Sequence, residues 1–179
     1  IIGYSEMLEE EAEDNDQENI IPDLKKIKAA GKHLLSLIND VLDLSKIEAG
    51  KMELFLERFA INDMIDDVVG TTRPLIYQKG NQLEVDFLQV VDTMYADLTK
   101  TRQILFNLLS NASKFTESGI IRIVISQEFK DNISWIVFSV IDSGIGMNED
   151  QMSRIFNSFS QADDSTTRNY GGTGLGLTI

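Results

Sequence analysis

The sequence predicts an α+β chain: a helical hairpin of the four-helix-bundle type over residues 1–50, then a mixed α/β domain over residues 51–179. Three observations predict it. Leu24, Ile27, Gly31, Leu34, Ile38, Val41 and Ser45 are spaced alternately by three and four residues, a heptad-like stripe. Residues 120–129 (IIRIVISQEF) and 134–142 (SWIVFSVID) are β-branched and aromatic, with turn residues between them, so they read as an antiparallel hairpin. Asp97–Ser113 (DLTKTRQILFNLLSNAS) reads as an amphipathic helix with Asp97 as its cap.

Residues 1–8 (IIGYSEML) place Ile1, Tyr4, Ser5 and Leu8 at helical spacing and read as the tail of a helix. Residues 9–20 (EEEAEDNDQENI) are an acidic run, expected to be a solvated connecting loop. Pro22 suits the first turn of the next helix, expected at about residues 22–49. Leu35 and Leu42 widen its stripe on one flank, and Leu37 and Leu44 on the other. Such a stripe is too broad for a two-stranded seam, and one hairpin cannot cover it. A homodimer that forms a four-helix bundle would bury it.

Gly50 is expected to stop this helix or act as a hinge. Glu53–Phe59 reads as a short strand, and Ile61–Val69 as an amphipathic helix with Asn62 near its cap. Leu83, Val85 and Phe87 alternate as in a strand, and 94–96 form a shorter one. Asn148–Tyr170 is polar, with apolar residues mostly at Met152, Ile155, Phe156 and Phe159. It reads as a long loop of the kind that serves as an active-site lid. The chain opens at Ile1 without a methionine and stops at GTGLGLTI, where a helix should be starting. It is therefore expected to be a C-terminally truncated piece of a longer protein.

Composition narrows the functions. A net charge of −13 disfavours nucleic acid and anionic membrane surfaces as partners, since both need clustered Lys and Arg. Without cysteine there is neither a disulfide nor a thiolate metal site, and one histidine cannot make a histidine-rich zinc site. No apolar run reaches the ~20 residues a membrane span needs.

Three constellations carry chemistry. At ~100° per residue, Asn107, Asn111 and Lys114 fall within about 60° of one another, opposite Ile104, Leu105, Leu108, Leu109 and Ala112. Asparagine is a poor helix former. An amide oxygen is a hard ligand suited to Mg²⁺, and an ammonium beside it neutralises phosphate. The same stripe is also compatible with a face that merely meets solvent. Asp142–Met147 (DSGIGM) follows a strand directly. A carboxylate at a strand end accepts from an exocyclic amine such as that of adenine, and the glycines let backbone approach a ring. Alone, this motif equally fits a plain turn. Gly171–Leu177 (GGTGLGL) is an amide-rich cradle for phosphates, or a glycine hinge. It is not a P-loop, because no Gly-Lys-Ser/Thr follows.

In their order the three are more specific. NLLSNASKFTESG (107–119) resembles the asparagine box of sensor histidine kinases. VIDSGIGM (140–147) resembles their first glycine box, IFNSFSQAD (155–163) their phenylalanine box, and GGTGLGL (171–177) their second glycine box. INDVLDLSKIEAGKMEL resembles the ending of the second helix of their dimerisation and phosphotransfer hairpin. The resemblance covers nearly the whole chain.

It implies that the second domain is a Bergerat-type two-layer α/β sandwich, shared with gyrase, MutL and the heat-shock chaperone ATPases. It implies ATP and Mg²⁺ as cofactors. Asn111 would hold the metal with Asn107 beside it, Lys114 would reach the phosphates, and Asn107 and Lys114 would carry the catalytic role. Phe115 would line the adenine side, Asp142 would bind the adenine amine, and Gly144 and Gly146 would shape that wall. Residues 148–170, with Phe156 and Phe159, would form the lid. Gly172, Gly174 and Gly176 would wrap the phosphates, with Thr173 and Leu175 in the same ATP-binding loop. The ATPase relatives carry a glutamate one turn before the metal-binding asparagine. Here that position is Asn107, a poor general base, so the site should hold ATP with little hydrolysis.

The resemblance further implies a receiver domain of a response regulator as partner, a homodimer, and a catalytic part that faces the cytoplasm. The phospho-accepting histidine would lie just upstream of IIGYSEML. His33 sits at heptad position c, on the outer face, with no acid directly after it, so it is not expected to be the phospho-acceptor. The fragment alone is then expected not to autophosphorylate. A Bergerat-type ATPase and a non-catalytic dimerisation scaffold are the alternatives.

Overall fold

A computed structural model describes residues 1–15 and 17–155. The chain divides into two compact units, residues 1–52 and a second beginning at residue 53.

The first unit is an antiparallel pair, α1 (Ile2–Asp14) and α2 (Ile21–Glu48). The acidic run expected as a loop is helical as far as Asp14. Its charges are not all solvated: Glu9 pairs with Lys28 and Lys25, Glu6 pairs with Lys32, and Ala12 is buried. Lysines on the facing helix offset the repulsion that the run shows on its own. The Glu9 carboxyl is accordingly held below its ordinary range, chiefly by its hydrogen bond from Lys28. Pro22 lies in the first turn of α2, and the helix ends at Glu48, two residues before Gly50. Leu24 is buried, whereas Ile27, Leu34, Ile38 and Val41 remain between 43% and 54% exposed.

The second unit is built from β1 (Glu57–Ala60), α3 (Ile61–Gln78), β2 (Gln82–Phe87), β3 (Thr93–Ala96), α4 (Leu98–Phe115), β4 (Ile120–Lys130), β5 (Ile133–Asp142) and α5 (Glu149–Arg154). β1 and β3 form a small antiparallel pair. β2 lies parallel to β4, and β4 antiparallel to β5, in a three-stranded sheet. The β4–β5 turn is Asp131–Asn132, both in the left-handed region, as a two-residue hairpin turn requires. α3 and α4 cover one face of the sheet, giving two layers. Along β4 the alternate residues Ile121, Ile123 and Ile125 are fully buried. Against them stand Ile61, Ile65, Val68 and Ile76 of α3, and Leu105, Leu109 and Ala112 of α4.

Several sequence expectations shift. α3 runs nine residues past Val69 and through Pro74, because burying Thr72 and Ile76 holds the turn that proline weakens. Its cap is extended Ala60, without a side-chain bond, so Asn62 lies inside the first turn. Ile104, expected on the apolar side of α4, is 51% exposed. The stretch expected as an open loop from Asn148 begins with α5. A capping box explains this: Asn148 Oδ1 accepts from Gln151 N–H, and Gln151 Oε1 accepts from Asn148 N–H.

Asp97 caps α4 as expected. Its Oδ1 accepts from Lys100 N–H and its Oδ2 from Phe55 N–H, each at 2.9 Å. These bonds hold its carboxyl below the ordinary range, that from Lys100 most strongly. A depressed folded pKa contributes stability above the unfolded value of ~3.9, and loses it as pH falls through the folded value. Asp97→Asn should therefore lower stability at neutral pH and flatten the acid limb of the curve below about pH 4. Urea midpoints from pH 3 to 6 check this, and an acid limb as steep as wild type would refute it.

Candidate functional site

The site grows from the places where β5 and α4 end. β5 runs out at Asp142, which pairs with Ile121. One residue on, Ser143 N–H donates to Ile120 O at 3.1 Å, and Ser143 Oγ accepts from Ile120 N–H at 2.9 Å. The DSGIG turn therefore starts directly from the sheet. Asp142 Oδ1 accepts from Gly144 N–H at 2.9 Å, and the Thr116 hydroxyl lies 3.5 Å from the same oxygen. Asp142 is exposed, and its Oδ2 accepts nothing among the described residues. The carboxylate is thus fixed by one oxygen and presents the other.

Gly144 sits where no side chain fits. A Cβ there would stand 2.4 Å from Phe115 O, 2.8 Å from Asp142 Oδ1 and 2.9 Å from Thr116 Oγ1. Next to it, Ile145 N–H donates to Phe115 O at 3.3 Å. These contacts pin the turn to the end of α4. Gly146 follows with φ +67°, a conformation that side chains disfavour.

On α4, Asn107, Asn111, Lys114 and Phe115 are all half-buried. The Lys114 ammonium lies 5.0 Å from the centroid of the Phe115 ring. Partial loss of water lowers the Lys114 pKa, and the charge of Lys79 lowers it further. Such an ammonium gains more from an incoming anion than a fully hydrated one does. Ser113 Oγ donates to Leu75 O at 3.1 Å and ties this end of α4 to α3.

Asp142, Gly144 and Phe115 are thus brought together directly, and Lys114 joins them through the Phe115 ring. Asn107 and Asn111 share the α4 helix with them. Phe156, Phe159, Gly172, Thr173, Gly174, Leu175 and Gly176 lie outside the described residues. Among the described residues no group of three His, Asp or Glu side chains stands ready for a metal ion. Mg²⁺ takes oxygen ligands and keeps several waters beside phosphate oxygens, and the half-buried Asn111 amide on α4 offers one such oxygen. No described helix is long and apolar enough to cross a membrane. His33 is exposed on α2 and makes no hydrogen bond among the described residues.

Sequence reasoning did not single out Thr116, Asn81 or Lys79. Thr116 is 1% exposed and touches Asp142. Asn81 is 3% exposed and bonds to Thr116 O. A threonine after a helix and an asparagine after a glycine both read as ordinary turn residues. Nothing local signals their burial, because the partners lie 26 and 35 positions away.

Residues 96–179 match the family described as Histidine kinase-, DNA gyrase B-, and HSP90-like ATPase, and residues 1–50 match the His Kinase A (phospho-acceptor) domain. The chain is 37% identical over 180 residues to the Autoinducer 2 sensor kinase/phosphatase LuxQ of Vibrio cholerae, covering all of this chain and 21% of LuxQ. It is 41% identical over 181 residues to the Hybrid signal transduction histidine kinase B of Dictyostelium discoideum, again over all of this chain and 9% of that protein. Full-length ShkA, solved in complex with AMPPNP, matches with a TM-score of 0.73 at 34% identity, over 88% of this chain and 32% of ShkA. The chain thus spans about a fifth or less of these curated relatives. With a phospho-acceptor-type helical segment and a gyrase-like ATPase domain in one chain, it belongs to the sensor histidine kinases.

Proposed function

We propose that this chain is the ATP-binding catalytic part of a histidine kinase, and that its parent moves the γ-phosphoryl of ATP to a histidine and then to a response-regulator aspartate. The observation that carries the reading is Asp142, held through Oδ1 by Gly144 N–H and, among the described residues, open at Oδ2, next to the end of the helix that bears Asn107, Asn111 and Lys114. Asp142 accepts the adenine amine. Lys114 meets the phosphates, and Asn111 supplies the amide oxygen for Mg²⁺. Asn107 is neutral, so water at this site lacks a general base and ATP waits for another nucleophile. Phosphoryl transfer then needs positioning and charge stabilisation above all. The same reading assigns the lid to residues 148–170 and the wrapping of the phosphates to Gly172, Gly174 and Gly176, of which residues 156 onward lie outside the described residues.

Calorimetry tests the reading. Wild type should bind ATP more tightly with Mg²⁺ than without, and Asn111→Ala should lose most of that difference. Absence of ATP binding by wild type would refute it. His33 is not the phospho-acceptor, so radiolabelled ATP should leave no acid-labile label on the chain. Label on His33 would overturn that assignment.

The partners follow from the same reading: a receiver domain, and a second copy through the hairpin. The exposed Ile27, Leu34, Ile38 and Val41 support the dimer, since no helix of the first unit covers them. The mass in solution at micromolar concentration should be that of a dimer, and a clean monomer would sink the idea. The acidic net charge leaves no role for nucleic acid, and this segment needs no membrane contact. The catalytic part works in the cytoplasm.

A further inference from the structure

We propose that Asn81 is a positioning residue for the nucleotide site, acting through Thr116 on Asp142; the inference rests on the ATP-site reading above. Asn81 lies in the turn between α3 and β2 and is 3% exposed. Its Nδ2 donates to Thr116 O at 2.8 Å, and its Oδ1 accepts from Gly119 N–H at 2.9 Å. Beside it, Lys79 Nζ donates to Lys114 O at 2.8 Å, and Ser118 N–H donates to Lys79 O at 3.0 Å.

α4 therefore does not close on a glycine of its own. Its C-cap is Thr116, in extended conformation, and the carbonyls of Lys114 and Thr116 are taken by a turn 35 residues earlier in the chain. Where residues 79–81 sit decides where residues 114–116 sit. From there the path to the ligand is short. Thr116, 1% exposed, puts its hydroxyl 3.5 Å from Asp142 Oδ1, and Phe115 O accepts from Ile145 N–H. Removing Asn81 strands the buried Thr116 carbonyl and the partly buried Gly119 N–H, so the segment must move to satisfy the carbonyl. A recognition group tolerates roughly 0.5 Å of such movement before affinity suffers.

The test uses the whole chain and two readouts. Asn81→Asp is nearly isosteric and keeps the acceptor for Gly119, but it sets a carboxylate against Thr116 O. Asn81→Ala removes both bonds. Thr72→Val is the control, since Thr72 is equally buried but bonds only within α3, to Val68 O and Val69 O. Calorimetry reads ATP affinity. NMR reads hydrogen exchange of the Gly144 and Ile145 amides without nucleotide.

Both Asn81 variants should weaken ATP binding about tenfold or more and speed exchange at both amides. Thr72→Val should lose stability yet keep affinity and exchange. If Asn81→Ala does not fold, Asn81→Asp carries the test. Unchanged affinity and exchange in Asn81→Asp would overturn the proposal, as would an equal loss of affinity in Thr72→Val. If wild type binds no ATP while exchange at Gly144 and Ile145 still depends on Asn81, the coupling stands and the ATP reading falls.

Discussion

Asp142→Asn should weaken ATP binding about 10–100-fold, the worth of one hydrogen bond to a charged acceptor, and leave the fold intact. The substitution is isosteric. Its amide oxygen can still accept from Gly144 N–H, so the turn keeps its shape. The outward position then carries an NH₂, a donor facing the donor amine of adenine. A carboxylate that accepted becomes a group that repels. Asp142 is exposed, so stability should change by less than about 0.5 kcal/mol. Calorimetry with ATP and with GTP separates the causes. The variant should also lose its preference for ATP, because guanine offers a carbonyl where adenine has its amine. An unchanged ATP affinity, or an unchanged ATP/GTP ratio, would remove Asp142 from base recognition.

Gly144→Ala should cost about 1–3 kcal/mol of stability and abolish measurable ATP binding. The added methyl would lie 2.4 Å from Phe115 O, well inside contact distance. That oxygen is backbone at the end of α4, held also by Ile145 N–H, and cannot swing away. The turn must lift off the helix, and Asp142 Oδ1 loses the N–H that orients it. Gly146→Ala is the useful contrast. Among the described residues a Cβ there meets nothing within 4 Å, and φ +67° opposes it. It should cost roughly 1–2 kcal/mol through backbone strain and weaken ATP binding far less. Urea unfolding and calorimetry on both variants check this. If Gly144→Ala keeps wild-type stability and affinity, the contact between turn and helix does not constrain the site.

Much of the fold was legible because its signals are local. The β4–β5 hairpin declares itself by β-branched residues on either side of Asp131–Asn132, and α4 by its period and its Asp97 cap. Asn107, Asn111, Lys114, Asp142 and Gly144 stand out because helix period and strand ends place them without any distant contact. Two of the misreadings share one cause, contacts distant in the chain. The acidic residues 9–14 are helical because Lys25, Lys28 and Lys32 face Glu6 and Glu9 across the hairpin. α3 passes Pro74 because the sheet rewards burying Ile76.

The sequence by itself determined most of the element types, the acidic character of the chain, and the residues proposed to hold a nucleotide. Each of these follows from period, capping or charge within a few positions. Only the tertiary structure decided how those residues are aimed. Asp142 presents one oxygen because Gly144 N–H holds the other. Gly144 is required because the end of α4 lies within a methyl radius of it. That end lies there because Asn81 and Lys79 take its last carbonyls from 35 residues away. Hydrogen bonds between groups so distant in the chain are chosen by packing, and packing leaves no periodic trace in a sequence.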